Sequence, residues 1–297
     1  MRPVGRPRGT SGYSSSDLRR PCPDLTITSV LVCTFGDLTL DVIVRVDRPI
    51  ARGGDTNALT HVAPGGQAAN VAAWAAELGA RARYIGKRGA DEAGTLATRG
   101  LEARKVDVAG PAEGRGGIIC SLVDANGERS MLSDRGTATD FRPDELEPTW
   151  LEHCDHLFVS GYALLREPVR ETALAAVTQA RGQGAKVSVD LSSWSAIGEH
   201  GAEAFRALLV GLDPDIVFAN EDENRVFGGP LPGVPWILKR GSRGCSFDGD
   251  ERAALPVDEV VDTTGAGDAL AAGFIVGGPE LALEAAARCV TRLGSMP

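Results

Sequence analysis

The sequence predicts an α/β protein: a mostly parallel central sheet covered by helices on both faces, with a small separate β-element. Three observations predict it. The second half alternates short apolar runs (156–160, 186–190, 215–219, 236–239) with helical stretches (167–183, 201–212, 267–276, 280–292), the pattern of strand–helix–strand units. The first half opens on an apolar, β-branched run at 28–35 that ends at Gly36-Asp37 and reads as a buried strand. Two stretches, about 42–64 and the hairpin at 116–132, break this rhythm and form the separate β-element.

The remaining elements follow in order. Residues 41–46 place Val42, Val44 and Val46 on one face of a strand. Residues 68–78 are Ala-rich and helical, and Gly79 is a natural stop. A strand at 83–85, a helix over 91–104 and a strand at 106–108 come next. Residues 116–123 and 128–132 flank Asn126-Gly127, a tight-turn signal, so this stretch reads as a hairpin. No internal repeat is visible.

Composition bounds the function classes. The chain has 297 residues, 43% of them hydrophobic, which suits one large domain with a substantial core. A net charge of −9 argues against a broad nucleic-acid-binding face. No apolar run is long enough to span a bilayer, so no membrane partner is expected. The six cysteines have no paired or metal-type spacing, and most read as small buried residues of a reduced cytoplasm. The four histidines lack zinc-ligand spacing. Residues 1–28 are rich in Arg, Pro, Ser and Gly and read as a disordered tail. This start can mimic a transit peptide but lacks the apolar core of a secretory signal.

The most informative motif is Asp262-Thr-Thr-Gly-Ala-Gly-Asp268, which opens into an Ala-rich helix. The first N–H groups of a helix lack internal partners and the dipole is positive there. Gly265, Ala266 and Gly267 therefore form an anion hole for a phosphate. Asp268, in the first turn, can accept the proton of a hydroxyl that attacks a phosphoryl group. The plain alternative is an ordinary capped helix start. A second motif, Gly65-Gly66-Gln-Ala-Ala-Asn70, opens the helix at 68–78 and is followed by Gly86-Lys-Arg-Gly89. Its glycines permit close backbone approach and the Asn70 amide can both donate to and accept from hydroxyls, which suits a polyol. There is no Gly-x4-Gly-Lys-Ser/Thr loop and no Gly-x-Gly-x-x-Gly after the first strand.

With both motifs in this order, the sequence resembles the ribokinase-like (PfkB) family of sugar and nucleoside kinases over residues 29–297. The resemblance implies a three-layer ribokinase-like sandwich whose small β-sheet, at 42–64 and 112–135, serves as a lid. It implies ATP and Mg²⁺ as cofactors and a small sugar as substrate. In Gly36-Asp37-x-x-x-Asp41, it makes Asp41 a ligand of substrate hydroxyls, together with Gly65, Gly66 and Asn70. Asn220 and Glu223 match an Asn-x-x-Glu motif that holds Mg²⁺ and phosphate through water, although alone they read as an acidic helix start. Lys239, Gly241 and Gly244 match a strand-turn motif at the nucleotide phosphates, and Asp262 and Thr264 fall where relatives hold a monovalent cation, usually potassium. Arg135 falls near the place where acid-sugar kinases of the family hold a substrate carboxylate, against the alternative of a solvated turn arginine.

Two departures stand out. Gln67 replaces a residue that is often Lys, and Gly-Gly-Pro at 277–279 is short, which puts the adenine pocket in question. The expected activity is phosphorylation of an alcohol group on a ribose-like, fructose-like or 2-keto-3-deoxy acid sugar. A nucleoside kinase would need a wall for a base from a chain with 5% aromatics. A non-catalytic sugar- or nucleotide-binding regulator would have no need of Asp268. A homodimer through the lid strands would cover an exposed sheet edge.

Overall fold

The computed structural model describes residues 30–125 and 129–297; the expected tail at 1–28 and the Asn126-Gly127 turn lie outside the described residues. The first half contains strands β1 (Leu31–Phe35), β2 (Thr39–Arg45), β3 (Leu59–Gly65), β4 (Arg81–Ile85), β5 (Asp107–Ala109), β6 (Gly117–Val123) and β7 (Arg129–Asp134). Helix α1 (Gln67–Glu77) precedes β4 and α2 (Glu92–Glu102) precedes β5. The second half runs β8 (His156–Ser160), α3 (Gly161–Leu164), α4 (Val169–Gly182), β9 (Lys186–Asp190), α5 (Trp194–His200) and α6 (Ala202–Leu212). It continues with β10 (Ile216–Asn220), α7 (Glu221–Phe227), β11 (Trp236–Lys239), β12 (Cys245–Phe247), β13 (Asp250–Arg252), α8 (Ala266–Gly277) and α9 (Pro279–Val290).

The large sheet has the order β13-β12-β11-β10-β9-β8-β1-β4-β5. It is parallel from β5 through β11, and β12 and β13 add an antiparallel edge. Strand β1 shows why both faces must be covered. Its alternate residues Leu31, Cys33 and Phe35 enter one core, while Val32 enters the other. Helices α4 and α6 close the first core with Ala173, Ala176, Phe205 and Leu209. Helices α1, α8 and α9 close the second with Ala72, Trp74, Ala271 and Ala285. The fold is thus the expected three-layer α/β arrangement with a smaller second sheet.

That smaller sheet has the order β3-β2-β6-β7 and is mixed, because β2 pairs β6 in parallel. Asp41, Ile119 and Ser133 share one cross-strand row and line a cavity. Val62, Val42, Cys120 and Leu132 share a row of the opposite parity, with Val62 and Leu132 exposed. Helix α5 and the β12–β13 pair were not legible in the sequence. Each spans seven residues or fewer, too short to show a period.

The chain passes from β1 outward to β4 and β5, then returns to place β8 on the other side of β1. In open α/β sheets, ligands bind beyond the carboxyl ends of the strands at such a reversal. Asp37, Tyr162, Ser192, Asn220 and Lys239 all lie at or just past the carboxyl ends of β1, β8, β9, β10 and β11.

Candidate active site

The 262–268 turn stands between two cavities. Gly265 and Asp268 line one, with Asp37, Asp41 and Asn70; Ala266 and Gly267 line the other, with Asn220 and Lys239. Gly265 caps α8 at φ 78°, and a Cβ there would come within 2.6 Å of Ser295 Cα. The turn needs glycine for both reasons. Asp262 ties it down: Oδ1 accepts from Thr264 N (2.9 Å) and Oγ1 (2.6 Å), and Oδ2 accepts from Gly294 N (3.1 Å).

Asp268 sits in a buried relay. Asn70 Nδ2 donates to Asp268 Oδ2 at 2.7 Å, and Ser295 Oγ donates to Asn70 Oδ1 at 2.9 Å. Trp74 Nε1 in turn donates to the Ser295 carbonyl at 2.9 Å. The Ser295 hydroxyl thereby fixes the amide so that its NH₂ faces the carboxylate. Burial pushes the Asp268 carboxyl up to about 7, against the lowering effect of the Asn70 donor. Nearby Asp190 and Asp37 push it in the same direction as burial, while Lys239 opposes.

The first cavity, of about 180 Å³, is lined by Asp37, Asp41, Gln67, Arg135, Tyr162 and Ser192, among others. Asp41 accepts from Thr39 Oγ1 at 2.8 Å, and burial raises its carboxyl to about 6. A Cβ at Gly65 would lie 2.1 Å from Asp41 Oδ2, so the glycine is needed for this approach. Gly66, at φ 97°, caps α1. Gln67 Oε1 accepts from the hydroxyls of Ser160 and Ser192, both at 2.6 Å. Arg135 is not the solvated turn arginine that the sequence left open. Its side chain is 17% exposed, pairs with Asp37 and lies 3.6 Å above the Tyr162 ring centroid.

The second cavity, of about 570 Å³, has a polar end and an apolar wall. Asn220, Lys239, Gly241, Ser242 and Gly244 form the polar end; Leu255, Val257, Leu270, Leu283, Ala286 and Val290 form much of the wall. The short 277–279 connection therefore leaves a wall in place, because α9 supplies three of these residues. Lys239 Nζ pairs with the fully buried Asp190 at 2.5 Å. Burial pulls the lysine down, but Asp190 and Glu223 hold it above its ordinary value. A Cβ on Gly267 would lie 3.3 Å from Lys239 Nζ, so the ammonium sits beside the 265–267 turn.

Asn220 and Glu223 form a capping box on α7: Asn220 Oδ1 accepts from Glu223 N, and Glu223 Oε2 accepts from Asn220 N at 2.7 Å. The helix-start reading of this motif is thus seen directly, and Glu223 is also 97% buried beside Lys239 and Asp190, with burial raising it to about 7. Gly244, at φ 97°, would carry a Cβ only 2.0 Å from the Arg252 carbonyl.

Sequence reasoning did not single out Asp37, Tyr162, Asp190, Ser192 or Ser295. Asp190 did carry a signal, as a charged residue that ends a buried strand. Tyr162 and Ser295 meet the site only through the fold and carried none.

A family model for pfkB family carbohydrate kinases matches residues 30–296. An ATP-dependent ribose-1-phosphate kinase of Halopiger xanaduensis is 34% identical over 88% of this chain and 90% of its own length. Fructokinase-1 of Oryza sativa subsp. japonica is 31% identical over 83% of this chain and 82% of its own length. A sugar kinase from Pyrococcus horikoshii, solved in complex with ATP, superposes with a TM-score of 0.77 at 23% identity, over 90% of this chain and 95% of that one. That last likeness is one of fold. The match across nearly the whole described chain, on top of the two-cavity site, makes this protein a member of the pfkB family of carbohydrate kinases.

Proposed function

We propose that the protein transfers the γ-phosphoryl group of ATP, carried with Mg²⁺, to a hydroxyl of a monosaccharide-sized polyol. The observation that carries this reading is the position of Asp268. Its carboxyl opens onto the small polar cavity, while the same helix start presents Ala266 and Gly267 to the larger one. The acceptor hydroxyl would lie among Asp41, Asn70 and Asp268. Asp268 would take its proton as the oxygen attacks, and the N–H groups of Gly265, Ala266 and Gly267 would meet the charge that develops on the phosphoryl oxygens. Lys239 would add a positive charge beside that turn. The apolar wall of the larger cavity suits adenine.

Among the described residues, no group of three or more His, Cys, Asp or Glu forms a metal cage. This donor set fits Mg²⁺, which keeps waters and rides on nucleotide phosphates with one or two carboxylates. Glu223 would meet it through water. Mg²⁺ would neutralise phosphate charge. A potassium ion at Asp262 would share a carboxylate already used by Thr264 and Gly294; rates with and without potassium test it. The small sheet would close over the acceptor and exclude water.

The smaller cavity favours a sugar over a nucleoside. At about 180 Å³ it falls below the roughly 300 Å³ at which pockets hold drug-sized ligands. Its aromatic face, Tyr162, is covered by Arg135. An ATP-consumption screen over neutral sugars, acid sugars and nucleosides tests the reading. Sugar-dependent ADP release is expected; turnover of nucleosides alone would overturn it.

A further inference from the structure

Arg135 is held from two sides. Its guanidinium stacks on Tyr162, and Nη1 donates to Asp37 Oδ2. The Asp37 side chain is 7% exposed and its other oxygen, Oδ1, is buried with no hydrogen-bond partner. A buried carboxylate left short of donors is costly, so its persistence calls for an explanation. The cavity supplies one. Asp41 and Asp268 line it along with Asp37, whereas Arg135 is its one cationic side chain among the described lining residues. With Arg135 spent on Asp37, no cationic side chain among the described lining residues is left to offset the charge of an incoming anion. A carboxylate or phosphate on the sugar would meet Asp41 and Asp268 uncompensated.

We propose that Asp37 is a specificity-determining residue: by holding and neutralising Arg135, it sets the acceptor cavity for an uncharged polyol and against sugars that carry a carboxylate or a phosphate. This rests on the reading of the smaller cavity as the acceptor site. Asp37 acts through Arg135, as a positioning residue. Specificity here comes from what the site repels as much as from what it holds.

The test compares kcat/KM for D-fructose, D-ribose, 2-keto-3-deoxygluconate and ribose 1-phosphate in the wild type, Asp37→Asn, Arg135→Gln and the double variant. The wild type should use a neutral sugar at least ten-fold better than either anion. Asp37→Asn frees the guanidinium, so the ratio of anionic to neutral kcat/KM should rise at least ten-fold, a change that a general loss of structure would not produce. The double variant should lose that gain. A wild type that prefers an anionic sugar, or a ratio in Asp37→Asn within about two-fold of wild type, would overturn the proposal. A wild type active on none of the four sugars would overturn the acceptor-site reading itself. Should Asp37→Asn fail to fold, the wild type and Arg135→Gln carry the test. Loss of anionic but not neutral turnover in Arg135→Gln would then mark Arg135 as an anion clamp and sink the proposal.

Discussion

The acid limb of the pH–rate profile offers a quantitative test of the relay behind Asp268. Burial holds this carboxyl at about 7 in the free protein. If it is the base, kcat/KM follows its ionised fraction, roughly one half at pH 7 and one tenth at pH 6. The rate should therefore fall about five-fold between these values. Ser295→Ala removes the donor that orients Asn70. The amide can then turn its oxygen toward Asp268, and the bond that lowers the carboxyl is lost. A hydrogen bond to a charged group is worth about 1.5–3 kcal/mol, or about one to two pH units. The limb should move up by about one unit, leaving the other groups that face Asp268 (Asp37, Asp190, Lys239 and Cys289) in place. At pH 7 the variant should be about five- to ten-fold slower, and at pH 9 within about two-fold of wild type. Steady-state kinetics from pH 5.5 to 9 decide it. ATP titrates in the same range, but equally for both enzymes, so the difference isolates the protein group. Superimposed profiles, or a wild-type limb below pH 5.5, would refute the reasoning.

Other perturbations probe the neighbouring groups. Lys239→Met leaves the fully buried Asp190 without its cation. It should cost about 3–5 kcal/mol in urea denaturation and weaken ATP binding by calorimetry, and adding Asp190→Asn should recover much of the stability. Gly265→Ala forces a side chain into φ 78° and against the Ser295 backbone. The conformation alone costs about 1–2 kcal/mol, so both the melting temperature and kcat should fall. Asp268→Asn should stabilise the protein at alkaline pH. The folded carboxyl lies at about 7 against an ordinary 3.8, so its contribution to stability is greatest below the ordinary value and is lost as pH rises through 7. The shift corresponds to a few kcal/mol at most, on the order of 1.4 kcal/mol per unit. The melting advantage of the variant should grow between pH 5 and 8.

Much of the fold was legible because the strands of a parallel sheet are buried on both faces and read as short apolar runs between amphipathic helices. The 156–160, 186–190 and 236–239 runs are strands over those same residues. The α8 start was legible because glycine and carboxylate at a helix entrance leave a local mark. What stayed hidden was built by long-range contact. Asn70 meets Asp268 across 198 residues and Ser295 across 225. The Asp37 and Arg135 pair spans 98, so no local spacing could show that the arginine is already engaged. Asp190 acquires its meaning only when β9 and β11 flank β10 and bring Lys239 to it.

Phosphoryl transfer by Asp268→Asn measures the central claim most directly. The variant should fold, bind ATP as the wild type does and lose sugar-dependent ADP release by about 10²–10⁴-fold, the range a general base contributes. Sugar-dependent turnover within ten-fold of wild type would contradict the account.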